Sequence, residues 1–273
     1  MNLNVLKSIT DKFETTSRMP LLFLGHGSPM NAIDNNEFTR NFKTTGASLP
    51  KPNAILCVSA HWETKGTFVT AMDTPKTIHD FGGFPKALNE FEYPAKGSAQ
   101  FAQETKSLIS STNIGLDYEW GLDHGAWSVL CHLFPEANIP VYQLSLDYRQ
   151  SPLWHYELGK ELRTLRERGV LVVGSGNIVH NLQKLDWHNS STVGYDWAIE
   201  ANEKIKELVL KNDYKSLSNY ASLGKAFEMA IPTPDHYLPL LYALAMKDES
   251  ESIRIFNDKT VMGSISMTSL QIS

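Results

Sequence analysis

Two hydrophobic patterns alternate along this chain, and the alternation predicts its architecture. Short continuous apolar runs read as buried strands. Leu21-Leu22-Phe23-Leu24, closed by Gly25, is the first, and Ala54–Ala60 is the second. Thr67–Met72, Val141–Leu146 and Val170–Val173 follow. Between them, apolar residues recur at helical spacing over Ser98–Ser111 and over Gly125–Phe134, which Pro135 stops. Ser151 as N-cap and Pro152 at the first helical position open a helix carrying Leu158, Leu162 and Leu165 on one face, ended by Gly169. Trp197, Ala201, Ile205 and Leu208 mark another, and His236–Met246 a further one. Asp34-Asn35-Asn36-Glu37 reads as a capping box opening a helix toward Phe42. Val5, Leu6, Ile9 and Phe13 predict a short helix within an N-terminal extension, residues 1–18. Near the end, Ile253, Ile255, Ile265 and Met267 alternate with polar residues as strands do. No repeat or Pro/Gly/Ser-rich linker divides the chain, so residues 1–273 are expected to form a single α/β domain, a central mixed sheet flanked by helices.

Composition narrows the function classes. Of 273 residues, 42% are hydrophobic and 20% charged, the mixture of a folded domain rather than a disordered chain. The formal net charge of −5 offers no electrostatic footprint for nucleic acid or an anionic membrane surface. No apolar run approaches the ~20 residues a membrane span needs, and the first 18 residues show no signal-peptide core, so a cytoplasmic location is expected. Cys57 and Cys131 stand apart in apolar segments, which fits a reducing compartment.

The chemistry concentrates in histidines. His26 (Leu24-Gly25-His26-Gly27-Ser28-Pro29), His61 (Ser59-Ala60-His61-Trp62-Glu63) and His180 (Gly174-Ser175-Gly176-Asn177-Ile178-Val179-His180) follow or adjoin predicted strand ends, where ligands bind in open α/β sheets. His236 adjoins a helix start. A lone histidine is more simply a hydrogen-bonded side chain, but four in comparable positions favour a mononuclear metal site. Gly25 and Gly27 would let backbone approach the metal or substrate. His61 and Glu63 share one strand face and are candidates for a facial triad of two histidines and one carboxylate. His124, beside Asp123, suits general acid–base work, with simple hydrogen bonding near a helix cap as the equal alternative. His79, in the aromatic loop with Phe81, is a candidate substrate contact, and Trp62, Trp120, Trp127 and Tyr237 are candidates for an aromatic wall. His132, His155 and His188 have no partner motif and read as structural. There is no HExxH, no Walker A sequence and no G-x-S-x-G elbow, and Gly174-Ser175-Gly176 lacks the third glycine of a dinucleotide fingerprint.

Taken in order, G-H-G-S-P-M, S-A-H-W-E, I-H-D-F-G-G-F-P, D-H-G-A-W, G-S-G-N-I-V-H-N-L and D-H-Y-L-P-L resemble the class III (LigB-type) extradiol aromatic-ring-opening dioxygenases, in their 4,5-DOPA dioxygenase extradiol branch. The resemblance implies a catechol and O2 as substrates and one mononuclear divalent metal, Fe(II) for activity or Zn(II) as bound in the isolated protein. It makes His26, His61 and His236 metal ligands, and His180 a further ligand. It also makes His124 and His180 the proton-transferring pair, so His180 has two roles open to it. The Gly174–Asn177 stretch predicts that His180 swings, on the metal without substrate and toward the diol with it. His79 and Tyr237 are expected to border the substrate. The rival readings are a zinc-dependent hydrolase built on the same histidines and a non-catalytic relative of the fold.

Overall fold

The computed structural model describes residues 18–187 and 193–273, so the expected leading helix and His188 lie outside the described residues. Strands form where the apolar runs predict them, β1 Leu21–Gly25, β2 Ala54–Thr64, β3 Thr67–Thr70, β5 Val141–Asp147 and β6 Val170–Gly176, and the fold adds β4 Ile114–Asp117. Four short strands follow: β7 Ile253–Phe256, β8 Thr260–Val261, β9 Ile265–Ser266 and β10 Ser269–Ile272. Eight of them make one sheet in the order β4-β3-β5-β2-β6-β1-β10-β7, and β8 and β9 pair as a separate ribbon. The centre, β5-β2-β6-β1, is parallel. Antiparallel pairing begins at β3 on one side and at β10 on the other, so the sheet is mixed.

Parallel strands buried on both faces need apolar residues at every position. In β2, Leu56 and Val58 face one core and Ile55 and Cys57 the other; in β6, Val170 and Val172 divide from Leu171 and Val173 in the same way. Helices Pro152–Glu161, Asp196–Leu210 and Leu238–Ala245 cover the first face, and Glu37–Ser48 and His124–Leu133 the second. The result is three layers.

Helix starts follow cap chemistry. Ser98, Asp123 and Ser151 accept backbone N–H bonds at the N-termini they open. The first cap is Asn36 rather than Asp34: its side chain takes the N–H groups of Phe38 and Thr39, and Thr39 Oγ1 returns the bond. The helix expected from His236 begins at Leu238, leaving His236 in the loop that enters it.

Candidate metal centre

The ends of β1 and β6, the later half of β2 and one loop converge on a single point. His26 follows β1, with its backbone N–H on the Gly176 carbonyl at the end of β6 (3.1 Å). His61 lies within β2, where the register against β5 shifts between Val58 and Glu63, an irregularity of the kind that re-aims side chains beside active sites. His236 is brought in by its carbonyl, which accepts the Asn177 N–H (2.8 Å). Ring nitrogens of His26, His61 and His236 all lie within 4.8 Å of one another.

The hydrogen bonds assign the tautomers. Ser175 donates its hydroxyl proton to the Gly125 carbonyl (2.5 Å), so toward His26 it accepts, and His26 carries its proton on Nδ1 (3.0 Å). His61 Nδ1 faces the Asp80 carboxylate (3.1 Å), and His236 Nδ1 faces Asp235. Each Nε2 is therefore left with a lone pair. The Nε2 atoms of His26 and His61 stand 3.2 Å apart, so a proton added to His61 would bridge them and a divalent cation would take the same place. Two nitrogens on one tetrahedral ion at about 2.0–2.1 Å stand roughly 3.3–3.4 Å apart, so the donor set fits a divalent metal. Carboxylate or hydroxyl partners on the far nitrogen are how metal-binding histidines are ordinarily held.

The charges agree. Burial, reinforced by the neighbouring histidines, pushes His26 and His236 well below the usual imidazole range, which keeps them neutral donors. Burial also depresses His61, but its bond to Asp80 and the charges of Asp123, Asp80 and Asp235 outweigh this, and the ring titrates higher than normal. Burial would raise Asp80, yet hydrogen bonds from His124 and His61 hold it far below the carboxylate range.

Asp80 is the residue sequence reasoning missed. Its side chain is 17% exposed although its backbone lies at the surface. One oxygen takes His61 Nδ1; the other takes both the His124 backbone N–H (2.9 Å) and His124 Nδ1 (3.0 Å). A single carboxylate thus orients a candidate ligand and the candidate base. Asp123 performs the other half of this work: it caps the His124 helix through the Ala126 N–H (3.1 Å) and accepts Ser59 Oγ (2.5 Å) and Gln143 Nε2 (2.7 Å).

The remaining candidates separate. His180 lies outside the group of His26, His61 and His236 but shares a second metal-capable group with His236 and Asp235, its ring stacked flat on His236 with centroids 3.4 Å apart at 9°. Burial pushes it down to about 4. Its backbone does not have the freedom expected of the glycine stretch: Gly174–Gly176 is buried strand, Asn177 bonds to Ser266 and His236, and the His180 N–H is fixed on the Ala230 carbonyl (2.8 Å). Any swing is therefore confined to the side chain. Glu63 points to solvent and joins no metal-capable group among the described residues, so the carboxylate triad does not form. Gly25 and Gly27 leave room for Met267 rather than for a ligand: a Cβ on Gly25 would stand 2.6 Å from the Met267 carbonyl carbon, and Gly27, at φ +62°, faces the Met267 sulfur.

A cavity of about 430 Å³ opens over these histidines, in the size range of small-molecule sites. His26, His61, Asp80, His124, His180 and His236 line its polar end, and Phe81 and Phe84 of the aromatic loop border it. His79 and Tyr237 do not. His79 gives its Nε2 to the Phe91 carbonyl (2.9 Å) and packs against Phe81 and Trp127; Tyr237 is wholly buried, its hydroxyl on the Leu217 carbonyl (3.0 Å). The expected aromatic wall also dissolves: Trp62 stacks on Trp120, and Trp127 donates to the Ile78 carbonyl. His132 and His155 are structural, bonded to the Asn31 carbonyl and the Tyr242 hydroxyl. A larger cleft, about 690 Å³ over Tyr156 and Tyr214, is lined by none of the histidines.

Comparison with known proteins agrees with this geometry. Residues 16–268 match the family described as the catalytic LigB subunit of aromatic ring-opening dioxygenase. The chain is 47% identical to a 4,5-DOPA dioxygenase extradiol of Escherichia coli strain K12, over 97% of this chain and 98% of that protein. It is 33% identical to a 4,5-DOPA dioxygenase extradiol of Beta vulgaris, over 86% and 90%. Among solved structures, an uncharacterised protein of Escherichia coli K12 superposes with a TM-score of 0.82 at 43% identity, covering 94% of this chain and 100% of that one. With the motifs, the mixed sheet and the histidine cluster in one place, the chain belongs to the LigB family of extradiol aromatic ring-opening dioxygenases, in its 4,5-DOPA dioxygenase branch.

Proposed function

We propose that the protein binds one divalent metal through His26, His61 and His236 and cleaves the ring of a catechol, DOPA or a related diol, beside its two hydroxyl groups. The observation that carries this reading is the approach of the His26 and His61 Nε2 atoms to 3.2 Å, with each Nδ1 already held by a partner and His236 within reach of both. When bound, the metal supplies the Lewis-acid anchor and the electron path between diol and O2, Fe(II) being the active ion. His124 accepts a diol proton: its Nδ1 is held by Asp80, so Nε2 is the nitrogen free to act, and the carboxylate stabilises the imidazolium that results. His180, neutral at neutral pH because burial depresses it, takes the second proton, and the two histidines return both protons to oxygens of the opened product. The apolar walls exclude water from the reacting diol. Both atoms of O2 enter the product, one ring C–C bond breaks, and a yellow ring-opened semialdehyde forms.

Anaerobic reconstitution with Fe(II), followed by a panel of catechols under O2, tests this directly. The expected result is visible-absorbance growth that requires both Fe(II) and O2. Turnover supported by zinc without O2 would instead establish a hydrolase.

A further inference from the structure

Asp80 has a counterpart. His61, Asp80 and His124 offer ligand atoms within 4.8 Å of one another, and so do His236, Asp235 and His180. The two groups have the same make-up: one candidate metal ligand, one carboxylate and one histidine of the proton-transferring pair. In each, the two rings are in contact, with centroids 3.9 Å apart for His61 and His124 and 3.4 Å apart for His180 and His236. Asp235 takes His236 Nδ1 directly, and it is shielded from solvent about as well as Asp80. Backbone bonds hold this second group in place. The Asn177 N–H reaches the His236 carbonyl (2.8 Å) and the His180 N–H the Ala230 carbonyl (2.8 Å), which laces 177–180 to both ends of the loop 230–236. Pro232 and Pro234 restrict the chain on its way to Asp235, and the Pro234 carbonyl accepts the N–H groups of Tyr237 and Leu238 (both 2.9 Å). A carboxylate that serves His236 is thereby set beside His180 as well.

We infer that Asp235 is a positioning residue shared by His236 and His180, doing for this ligand and base what Asp80 does for His61 and His124. The inference rests on the proposed metal site and, for its effect on rate, on the ring-cleavage reading. Toward His236 the carboxylate fixes the proton on Nδ1 and leaves Nε2 as the donor. Toward His180 it acts as an anion within 4.8 Å of a ring nitrogen. A ring stacked flat on a metal-bound imidazole lies beside positive charge, so a proton held there during turnover is favoured by a nearby carboxylate. Each proton-transferring histidine is thus tied to the carboxylate of a different metal ligand. Loss of Asp235 then weakens the metal and also slows proton transfer, whereas a partner of the metal alone would do only the first.

Asp235→Asn, which keeps the shape and removes the charge, tests this beside Asp235→Glu, which keeps the charge. The position is partly exposed, so the fold tolerates both. In zinc competition with a chromophoric chelator, Asp235→Asn should lose about 10–100-fold in affinity and Asp235→Glu should recover most of it. Glu63→Gln, which removes a charge from a side chain that points to solvent, should stay within about threefold of wild type. The share in His180 is read without turnover, from spectra of the zinc-loaded protein with its histidines labelled with nitrogen-15. Asp235→Asn should change the ring-nitrogen signals that report tautomer in both His236 and His180, and leave those of His61 and His124 as in wild type. At saturating Fe(II), its kcat should fall by about 10²-fold with KM for the catechol within about threefold, since excess metal restores the anchor for the diol but not the proton transfer. Unchanged zinc affinity overturns the inference, as does a Glu63→Gln loss equal to that of Asp235→Asn. Tautomer signals that change in His236 alone, or a kcat restored to wild type by excess Fe(II), confine Asp235 to the metal and overturn its shared role. A wild-type protein that binds zinc but cleaves no catechol removes the dioxygenase reading instead, and affinity and spectra still decide the role of Asp235.

Discussion

Asp80→Asn asks whether one carboxylate couples the metal to the base. The substitution keeps shape and removes charge. Asp80 accepts three hydrogen bonds, two from His124 and one from His61. An asparagine has one accepting oxygen, and the orientation that keeps both His124 bonds turns its NH2 toward His61 Nδ1. His61 must then move its proton to Nε2, the nitrogen that faces His26 across 3.2 Å and is needed as a donor. A charge-assisted hydrogen bond of this type contributes about 1.5–3 kcal/mol, which is about ten- to 150-fold in metal affinity and overlaps the ~10–100-fold typical of lost outer partners. Zinc affinity measured by competition with a chromophoric chelator should fall by at least tenfold. Cleavage at saturating Fe(II) should also drop, because His124 loses the anion that stabilises its protonated form. The opposite amide orientation would spare the metal and lower the rate by about 10²–10⁴ instead. An Asn variant within threefold of wild type in both measurements refutes the coupling.

His124→Ala should retain one metal per chain while the initial rate falls by about 10²–10⁴; metal analysis beside the rate assay checks both. His180→Ala should nearly abolish cleavage with at most a modest loss of zinc affinity, since His180 stacks on His236 outside the three-nitrogen group; near-normal turnover would remove His180 from proton transfer. Gly125→Ala places a Cβ 2.5 Å from Ser59 Oγ and 2.7 Å from the His61 ring, so it should displace His61 and cost about tenfold or more in metal affinity, read by the same competition. His155, buried against Tyr242 and pushed down to about 4, gives a pH test of stability away from the site. Its folded pKa lies below the unfolded ~6.5, so the unfolded chain binds the proton more readily. Stability is full above about 6.5 and falls as pH drops toward 4, by up to about 3 kcal/mol. The urea midpoint of wild type should therefore decline more steeply from pH 7 to pH 5 than that of His155→Gln, and parallel curves would contradict the assignment.

What the sequence made legible was whatever depended on local order. Each of the five predicted strand runs is a strand, because burial on both faces demands unbroken apolar residues and few other arrangements do. β4 was not foreseen: Ile114-Gly115-Leu116-Asp117 is four residues at the sheet edge with one neighbouring strand, too short and too mixed to show a period. The helices Tyr214–Ser218 and Lys225–Ala230 escaped for the same reason, being five and six residues long. In the site, His26 and His61 were legible from where the strands end. Asp80 was not, since its partners lie 19 and 44 positions away, and only the folded sheet brings them together. His79 and Asp80 show the limit sharply: neighbours in one loop, the first turns to the Phe91 carbonyl and the second into the centre. No spacing rule distinguishes them.

The same loop also explains how the site joins recognition to chemistry. Asp80 and Phe81 are consecutive, so the carboxylate that orients His61 and His124 and the ring that begins the apolar wall are fixed by one stretch of backbone. That stretch is held at the site end by the His124 N–H on Asp80 and, behind Phe81, by His79 packed between Phe81 and Trp127. A substituent pressing on Phe81 therefore pushes against the support of the base rather than against a free loop. Gly82 and Gly83 follow immediately, Gly83 at φ +80° with open space around both, which leaves the far side of the loop able to yield while the Asp80 side stays anchored. Differences between substituents should then register mainly in how tightly the diol is held, with the His61–Asp80–His124 geometry conserved from one catechol to the next.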